Sequence, residues 1–301
     1  MSTTEWKEQL LPGAGNGSAP AGYERRGRIL GRAELLADAG RRDWWDGEFS
    51  GRASVPHTTS ALEAEIRRRR VGQLVEDFGV DRRQPALELG CADGLVTRHL
   101  LELGFEKLIS TDIEYPSVVK LEASLRAEDR DRVLPVVDDL LRLPFAEATF
   151  ATVIAWGVLS VSGDFDRTLE LAWGWVAPGG HLLFAEPILE SVLAYTLVRG
   201  DLSEFRRTLR EGTRAAMWDT REDRYPVNPL RFYADRLQSL PDATIVDAGG
   251  ISMLPSLVHG GRLQEAPVGD EERAELTALL GDPDLDELSL WRQAFWLVRR
   301  R

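Results

Sequence analysis

The stretch that decides the fold is Ala86-Leu87-Glu88-Leu89-Gly90-Cys91-Ala92-Asp93-Gly94. A short apolar run, ALEL, is followed at once by two glycines separated by three residues. Such a run reads as a buried strand, and glycines after it let the chain turn sharply and approach a ligand without a Cβ in the way. A helix beginning near Gly94 presents unpaired amide hydrogens at its start, which suit an anionic group. The spacing differs from the dinucleotide GxGxxG fingerprint and lacks the Lys-Ser/Thr of a phosphate-binding loop, which lowers NAD and ATP as ligands.

Working outward toward the C-terminus, the apolar runs KLIST, VLPVV, FATVIAW and HLLFAE recur between segments with helical patterning. Helices are expected at about 94–103, 115–127 and 166–176, long enough for right-handed crossovers between parallel strands. Ligand chemistry then gathers at the carboxyl ends of those strands. Asp112 lies there in LISTDIE, where a carboxylate can accept both hydroxyls of a ribose. Asp138 and Asp139 follow the third strand, and Trp156 ends the fourth.

These ordered segments resemble the class I S-adenosylmethionine-dependent methyltransferases across roughly residues 85–187, with sheet completion near 243–298 in TIVDAGG and LWRQAFWLVRR. The resemblance implies a Rossmann-like, mostly parallel sheet of seven strands in the order 3-2-1-4-5-7-6, with helices on both faces, and S-adenosylmethionine as cofactor. Its binding set is Glu88, Gly90, Cys91, Gly94, Asp112, Ile113, Asp139, Leu140 and Trp156. In that set Asp112 holds the ribose, Asp139 with the Leu140 backbone reads the adenine amino edge, and Trp156 with Gly157 lines the methionine side. Asp138 remains an alternative to Asp139. The chain departs from the family where Ala151 follows Phe150, a position that is often acidic. Cys91 has no identifiable base beside it and reads as a small packing group rather than a nucleophile.

Residues 188–240 interrupt the sheet pattern with one or two helices and read as a substrate cap. Arg206, Arg207, Arg210 and Arg214 there either bind an anionic substrate or pair with Glu204, Glu211, Asp219, Glu222 and Asp223. Tyr195, Tyr225 and Tyr233 are candidates for pocket walls or proton relays. Residues 261–289 read as a long connection with a short helix around 271–280.

On the N-terminal side, residues 1–28 read as a flexible tail and 29–80 as a helical arm or lid leading into the α/β domain at 81–301. A short helix is expected from 29 to 39. Trp44 and Trp45 either dock that arm or form a lid over substrate. His57 precedes a helix that Thr58, Thr59 or Ser60 can cap and Gly79 can end. The basic residues 67–70 spread around that helix and read as a solvated or salt-linked face.

Composition narrows the partners. The 301 residues carry 49 Asp+Glu against 37 Lys+Arg, and a net charge of −12 disfavours a nonspecific grip on nucleic acid. One cysteine and 4 histidines supply too few soft ligands for a structural zinc site and no intrachain disulfide, so no metal is expected. No apolar run reaches bilayer-spanning length and no leader pattern is evident, so the expectation is a cytoplasmic enzyme without membrane contact. Its subunit count is left open.

A sulfonium methyl is intrinsically electrophilic, so transfer needs mainly an aligned acceptor and exclusion of water. The expected activity is O- or N-methylation of a small metabolite. Trp44, Trp45 and Tyr225 are the candidate substrate-binding residues, and His57, Glu186 and Tyr195 the candidate proton acceptors. Two alternatives stand beside it: a non-methylating user of the same cofactor, such as an intramolecular cyclase or an aminocarboxypropyl-side cleavage enzyme, and a noncatalytic interaction protein.

Overall fold

The computed structural model describes residues 5–11, 19, 21–37, 61–198, 201–215, 224–252 and 291–301. Chain packing divides it into two compact units. The first comprises Met1–Gly47, Val80–Leu183 and Val298–Arg301, and the second Glu48–Gly79 and Phe184–Leu297.

In the first unit, β3 (Ala86–Leu89), β4 (Leu108–Asp112), β5 (Val133–Val137) and β6 (Phe150–Trp156) form a parallel array in which β3 pairs with β4 and β6, and β4 pairs with β5. Every residue of β3 and β5 is buried, as expected of parallel strands covered on both faces. Burial of each Val, Leu or Ile in these strands contributes about 1.5–3 kcal/mol. The crossovers are α4 (Leu95–Glu102), α5 (Tyr115–Ser124) and α6 (Phe165–Trp175). Pro116 favours the first turn of α5, while the Asp164 side chain accepts from the Arg167 amide at 3.0 Å to start α6. Helix α5 packs on β4 and β5, and α6 on β6. Phe145 stands edge-on to Phe150, with centroids 5.0 Å apart, and seals the base of β6.

The full sheet has nine strands, in the order β1-β2-β5-β4-β3-β6-β7-β11-β10. Here β1 is Tyr23–Arg26, β2 Ile29–Arg32, β7 Val176–Pro187, β10 Ala243–Ser252 and β11 Trp291–Arg300. The expected seven-strand sheet therefore needs correction. The segment 23–32, read from sequence as tail and incipient helix, is an antiparallel hairpin whose second strand runs parallel to β5. Among the described residues of the helix expected at 29–39, helix is confined to α2 (Ala33–Ala37), and α1 (Glu5–Leu10) lies within the stretch expected as a tail. Pairing with the open edge of β5 overrides the weak local preference of Ile29–Arg32.

In the second unit, α3 (Ala61–Asp77) precedes α7 (Leu189–Val198), α8 (Leu202–Glu211) and α9 (Leu230–Gln238). A two-stranded antiparallel ribbon joins β8 (Thr213–Ala215) to β9 (Arg224–Pro226). Among its described residues, the segment expected to hold one or two helices thus holds three and a ribbon. Phe184, Tyr233 and Trp296 form an aromatic core with centroids 5.3–5.8 Å apart. The expected helix around 271–280 lies outside the described residues. No helix among the described residues is long and apolar enough to cross a membrane.

Candidate functional site

The loop after β3 is tied to its neighbours by backbone bonds. The Cys91 amide donates to the Thr111 carbonyl at 2.9 Å, and the Gly94 amide to the Cys91 carbonyl at 2.8 Å. Gly90 and Gly94 take φ values of 67° and 86°, in the left-handed region. A Cβ on Gly90 would lie 2.5 Å from Val158 Cγ2, and one on Gly94 2.3 Å from Leu121 Cδ1. Their missing side chains therefore leave room for the protein's own packing, a role that the sequence pattern alone does not distinguish from clearance for a ligand. Between them Ala92 takes φ 47°, which costs a non-glycine residue about 1–2 kcal/mol. What holds it there is a hydrogen bond from its amide to Asp112 Oδ2 at 2.8 Å.

Asp112 ends β4 and remains partly exposed. Its Oδ1 accepts from the Glu114 amide at 2.9 Å, so each oxygen holds one backbone N–H and keeps acceptor capacity for another donor. Burial raises its pKa above the ordinary carboxylate value, against the opposing pull of the Glu114, Ala92 and Ile113 amides. The Asp112 carbonyl accepts from the Asp138 amide at 3.0 Å, which joins the ends of β4 and β5.

The two aspartates after β5 have separate roles. Asp138 is 2% exposed; its carboxylate accepts from the Tyr23 hydroxyl, the Arg32 guanidinium and the Asp139 amide. Asp139 is partly exposed and caps the short helix Leu140–Arg142 by accepting from the Leu141 amide at 3.0 Å. Ile113, just past β4, is 37% exposed, and Leu141, in the short helix that follows β5, is 40% exposed. Exposed apolar side chains there offer a surface for a flat ring. Leu141 was not among the residues singled out from sequence, where it is indistinguishable from Leu140.

Glu88 is 1% exposed, and its Oε2 accepts from Thr97 at 2.6 Å and Ser110 at 2.8 Å, linking β3, α4 and β4 beneath the loop. Burial pushes its pKa up to about 7, although both hydroxyls favour the ionised form. The Cys91 thiol is raised well above its usual value by burial and by the Asp112 and Glu88 charges, which suits a packing group and not a nucleophile. Trp156 stands half-buried at the end of β6. Gly94 gives α4 no side-chain cap and its first turn has no acidic residue, so the leading amides suit an incoming carboxylate.

The expected acceptor-side residues are dispersed through the second unit or lie beyond description. Glu186 is 1% exposed within β7, Tyr195 is partly exposed on α7, and Tyr225 sits in β9 with the Arg214 guanidinium 6.0 Å from its ring centroid. Trp44, Trp45 and His57 lie outside the described residues. Of the arginine cluster, Arg207 and Arg210 form ion pairs with Glu211 at 3.2 and 2.9 Å, and Arg224, not singled out from sequence, meets Glu204 at 2.9 Å.

S-adenosylmethionine carries a carboxylate, a ribose diol and an adenine ring. The uncapped start of α4 suits the carboxylate, the Asp112 carboxylate the diol, and the exposed apolar side chains of Ile113 and Leu141 with the Asp139 carboxylate the ring. Residues 86–180 match the family described as a methyltransferase domain. A stretch of 124 residues is 30% identical to the lovastatin nonaketide synthase mokA of Monascus pilosus, covering 38% of this chain and only 4% of that much longer protein. A SAM-dependent methyltransferase from Methanosarcina mazei is similar in structure, with a TM-score of 0.53 at 14% identity over 75% of this chain and 96% of that one. The [4+2]-cyclase SpnF is likewise similar, with a TM-score of 0.50 at 16% identity over 77% of this chain and 81% of that one. The chain has the class I S-adenosylmethionine-dependent methyltransferase fold.

Proposed function

We propose that this protein binds S-adenosylmethionine and transfers its methyl group to an oxygen or nitrogen of a small metabolite in the cytoplasm. The observation that carries the reading is Asp112: a partly exposed strand-end carboxylate held on one side by Ala92 and Glu114 amides, with acceptor capacity left for a diol. When bound, the cofactor supplies an electrophilic methyl on sulfur. The chain's part is to hold and orient it. The start of α4 takes the carboxylate, Asp112 the ribose and Asp139 with the Leu140 backbone the adenine edge. Glu88, Gly90, Cys91 and Gly94 shape the loop, Ile113 packs on the base, and Trp156 lines the methionine side.

On the acceptor side, Trp44, Trp45 and Tyr225 are proposed to shape the substrate pocket, with 188–240 as a cap; of the arm expected at 29–80, the lid role is proposed only for the part that follows α2, because 29–37 belong to the sheet edge and its helix. His57, Glu186 and Tyr195 are the proposed proton acceptors. An exposure of 1% makes Glu186 suitable only for an acceptor delivered directly to it, without bulk water between. The net charge of −12 favours a metabolite over nucleic acid as partner.

A second reading keeps the cofactor site and changes the chemistry. It draws support from SpnF, a protein of the same fold described as a [4+2]-cyclase. Mass spectrometry of the protein incubated with S-adenosylmethionine, alone and with a metabolite extract, separates the readings. Extract-dependent S-adenosylhomocysteine with a product heavier by one methylene is the expected result. Methylthioadenosine formed without extract overturns methyl transfer in favour of aminocarboxypropyl-side cleavage. Conversion of an extract component with the cofactor unchanged favours a cyclase.

A further inference from the structure

We infer that the β1–β2 hairpin is a selectivity element of the cofactor site: Tyr23 and Arg32 hold Asp138, and through it fix the turn from which Asp139 distinguishes a 6-amino purine from a 6-oxo purine. The inference rests on the cofactor reading proposed above. Gly31 pairs with Val137, which brings Arg32 beside Asp138, and Tyr23 lies across the hairpin from Arg32. The docking is close, since a Cβ on Gly31 would stand 2.9 Å from Val137 Cβ and 2.8 Å from Leu36 Cδ2.

The Asp138 side chain is fully covered, and it accepts from three donors. The Tyr23 hydroxyl meets Oδ2, while Arg32 Nε and the Asp139 amide, the latter at 2.8 Å, meet Oδ1. The same guanidinium reaches the Arg142 carbonyl through its second nitrogen, and Arg142 in turn pairs with Glu34 of α2 at 2.9 Å. The hairpin and α2 therefore grip both ends of the turn 139–142. Inside that turn, Asp139 Oδ1 is occupied by the Leu141 amide, so its orientation follows the backbone that Asp138 and Arg32 fix.

Arg32 neutralises Asp138 at contact distance, which leaves Asp139 as the partly exposed acceptor of the pair. An acceptor facing the six-position of a purine favours an amino group, a donor, and disfavours a carbonyl oxygen. Burial and the bond to Asp138 hold the Tyr23 hydroxyl protonated far above its usual range, so it stays a donor.

Tyr23 and Arg32 are thus positioning residues, and the measurement must separate selectivity from stability. Full-length protein is titrated calorimetrically with S-adenosylhomocysteine and with S-inosylhomocysteine, its 6-oxo counterpart. The wild type should prefer the amino form by about tenfold, the worth of one hydrogen bond to a charged group. Asp139→Asn, which adds a donor, should erase or reverse that preference. Tyr23→Phe, and independently Arg32→Lys, which keeps the charge but loses the fork, should reduce it to roughly two- to threefold while the inosyl affinity stays nearly constant. Thermal melts check that each variant is folded. Equal weakening of both ligands, or an unchanged ratio in both folded variants, overturns the inference and leaves the hairpin a structural edge. Wild-type protein that binds neither ligand overturns the cofactor reading and this inference with it.

Discussion

The strand ends of the first unit and the segment 201–226 of the second use similar residues to opposite ends. At the strand ends, Asp112 accepts from backbone amides of Ala92 and Glu114, and Asp139 from that of Leu141. Those bonds fix the carboxylates without neutralising their charge, so each can still receive a ligand's donor. In the segment 201–226, Glu204 and Glu211 accept from Arg224, Arg207 and Arg210. There charge meets charge, and the side chains serve the helix and the ribbon. A carboxylate held by main chain stays chemically available, and one held by arginine does not.

The largest effect that sharpens this contrast is steric. Gly90 and Gly212 both have positive φ, but a Cβ on Gly90 meets Val158 Cβ at 2.8 Å while one on Gly212 meets nothing within 4 Å. Urea unfolding should show Gly90→Ala losing roughly 3–5 kcal/mol, the handedness penalty plus overpacking, and Gly212→Ala losing only about 1 kcal/mol. Equal losses would mean that the strand-end loop is no more constrained than a helix terminus.

Next in size is a pH effect at Glu88. Its folded pKa is raised from 4.5 to about 7, so the folded state holds this proton more tightly than the unfolded chain does. The contribution is complete below the unfolded value and is lost as pH rises through the folded one. Over that window it amounts to about 3 kcal/mol. Glu88→Gln cannot ionise, so the stability difference between variant and wild type should shift in the variant's favour by about that amount between about pH 4.5 and about pH 8. Parallel pH profiles for the two proteins would sink this account.

Asp112→Ala removes the proposed ribose acceptor and strands the Ala92 and Glu114 amides. Calorimetry should show S-adenosylhomocysteine binding weakened about 100-fold, roughly 2.7 kcal/mol. An affinity within threefold of wild type would remove the residue from the site.

The smallest effects lie in the second unit. Arg224, whose side chain is 10% exposed, donates to Glu204 and to both Thr213 Oγ1 and the Thr213 carbonyl. Its replacement by Met should lower stability by about 2 kcal/mol. Arg210, 73% exposed, should tolerate Ala within about 0.5 kcal/mol. Comparable losses from both would break the distinction between a covered and a solvated pair.

Much of the first unit was legible because its signals are local. The run ALEL, the glycines at 90 and 94 and the aspartate at 112 each state a strand, a turn and a strand end within a few residues. The hairpin 23–32 was not, although a two-residue loop, Gly27-Arg28, joins its strands. That loop is a recognised hairpin signal, but the neighbouring ILGRAELLA also suits a helix, and only the open edge of β5 decides between them. The choice between Asp138 and Asp139 was equally open, since adjacent identical residues differ only in which one the register turns inward.

The succession of strands and crossover helices, the glycine loop and the carboxylate after β4 can all be read along the chain, because periodicity, turn chemistry and spacing are local. Folding alone buries Glu88 beneath the loop, locks Ala92 left-handed on Asp112 and closes Tyr23 and Arg32 over Asp138. Those outcomes depend on which distant groups desolvate one another and which donors reach a buried carboxylate. A pattern of neighbours along the chain does not contain that information.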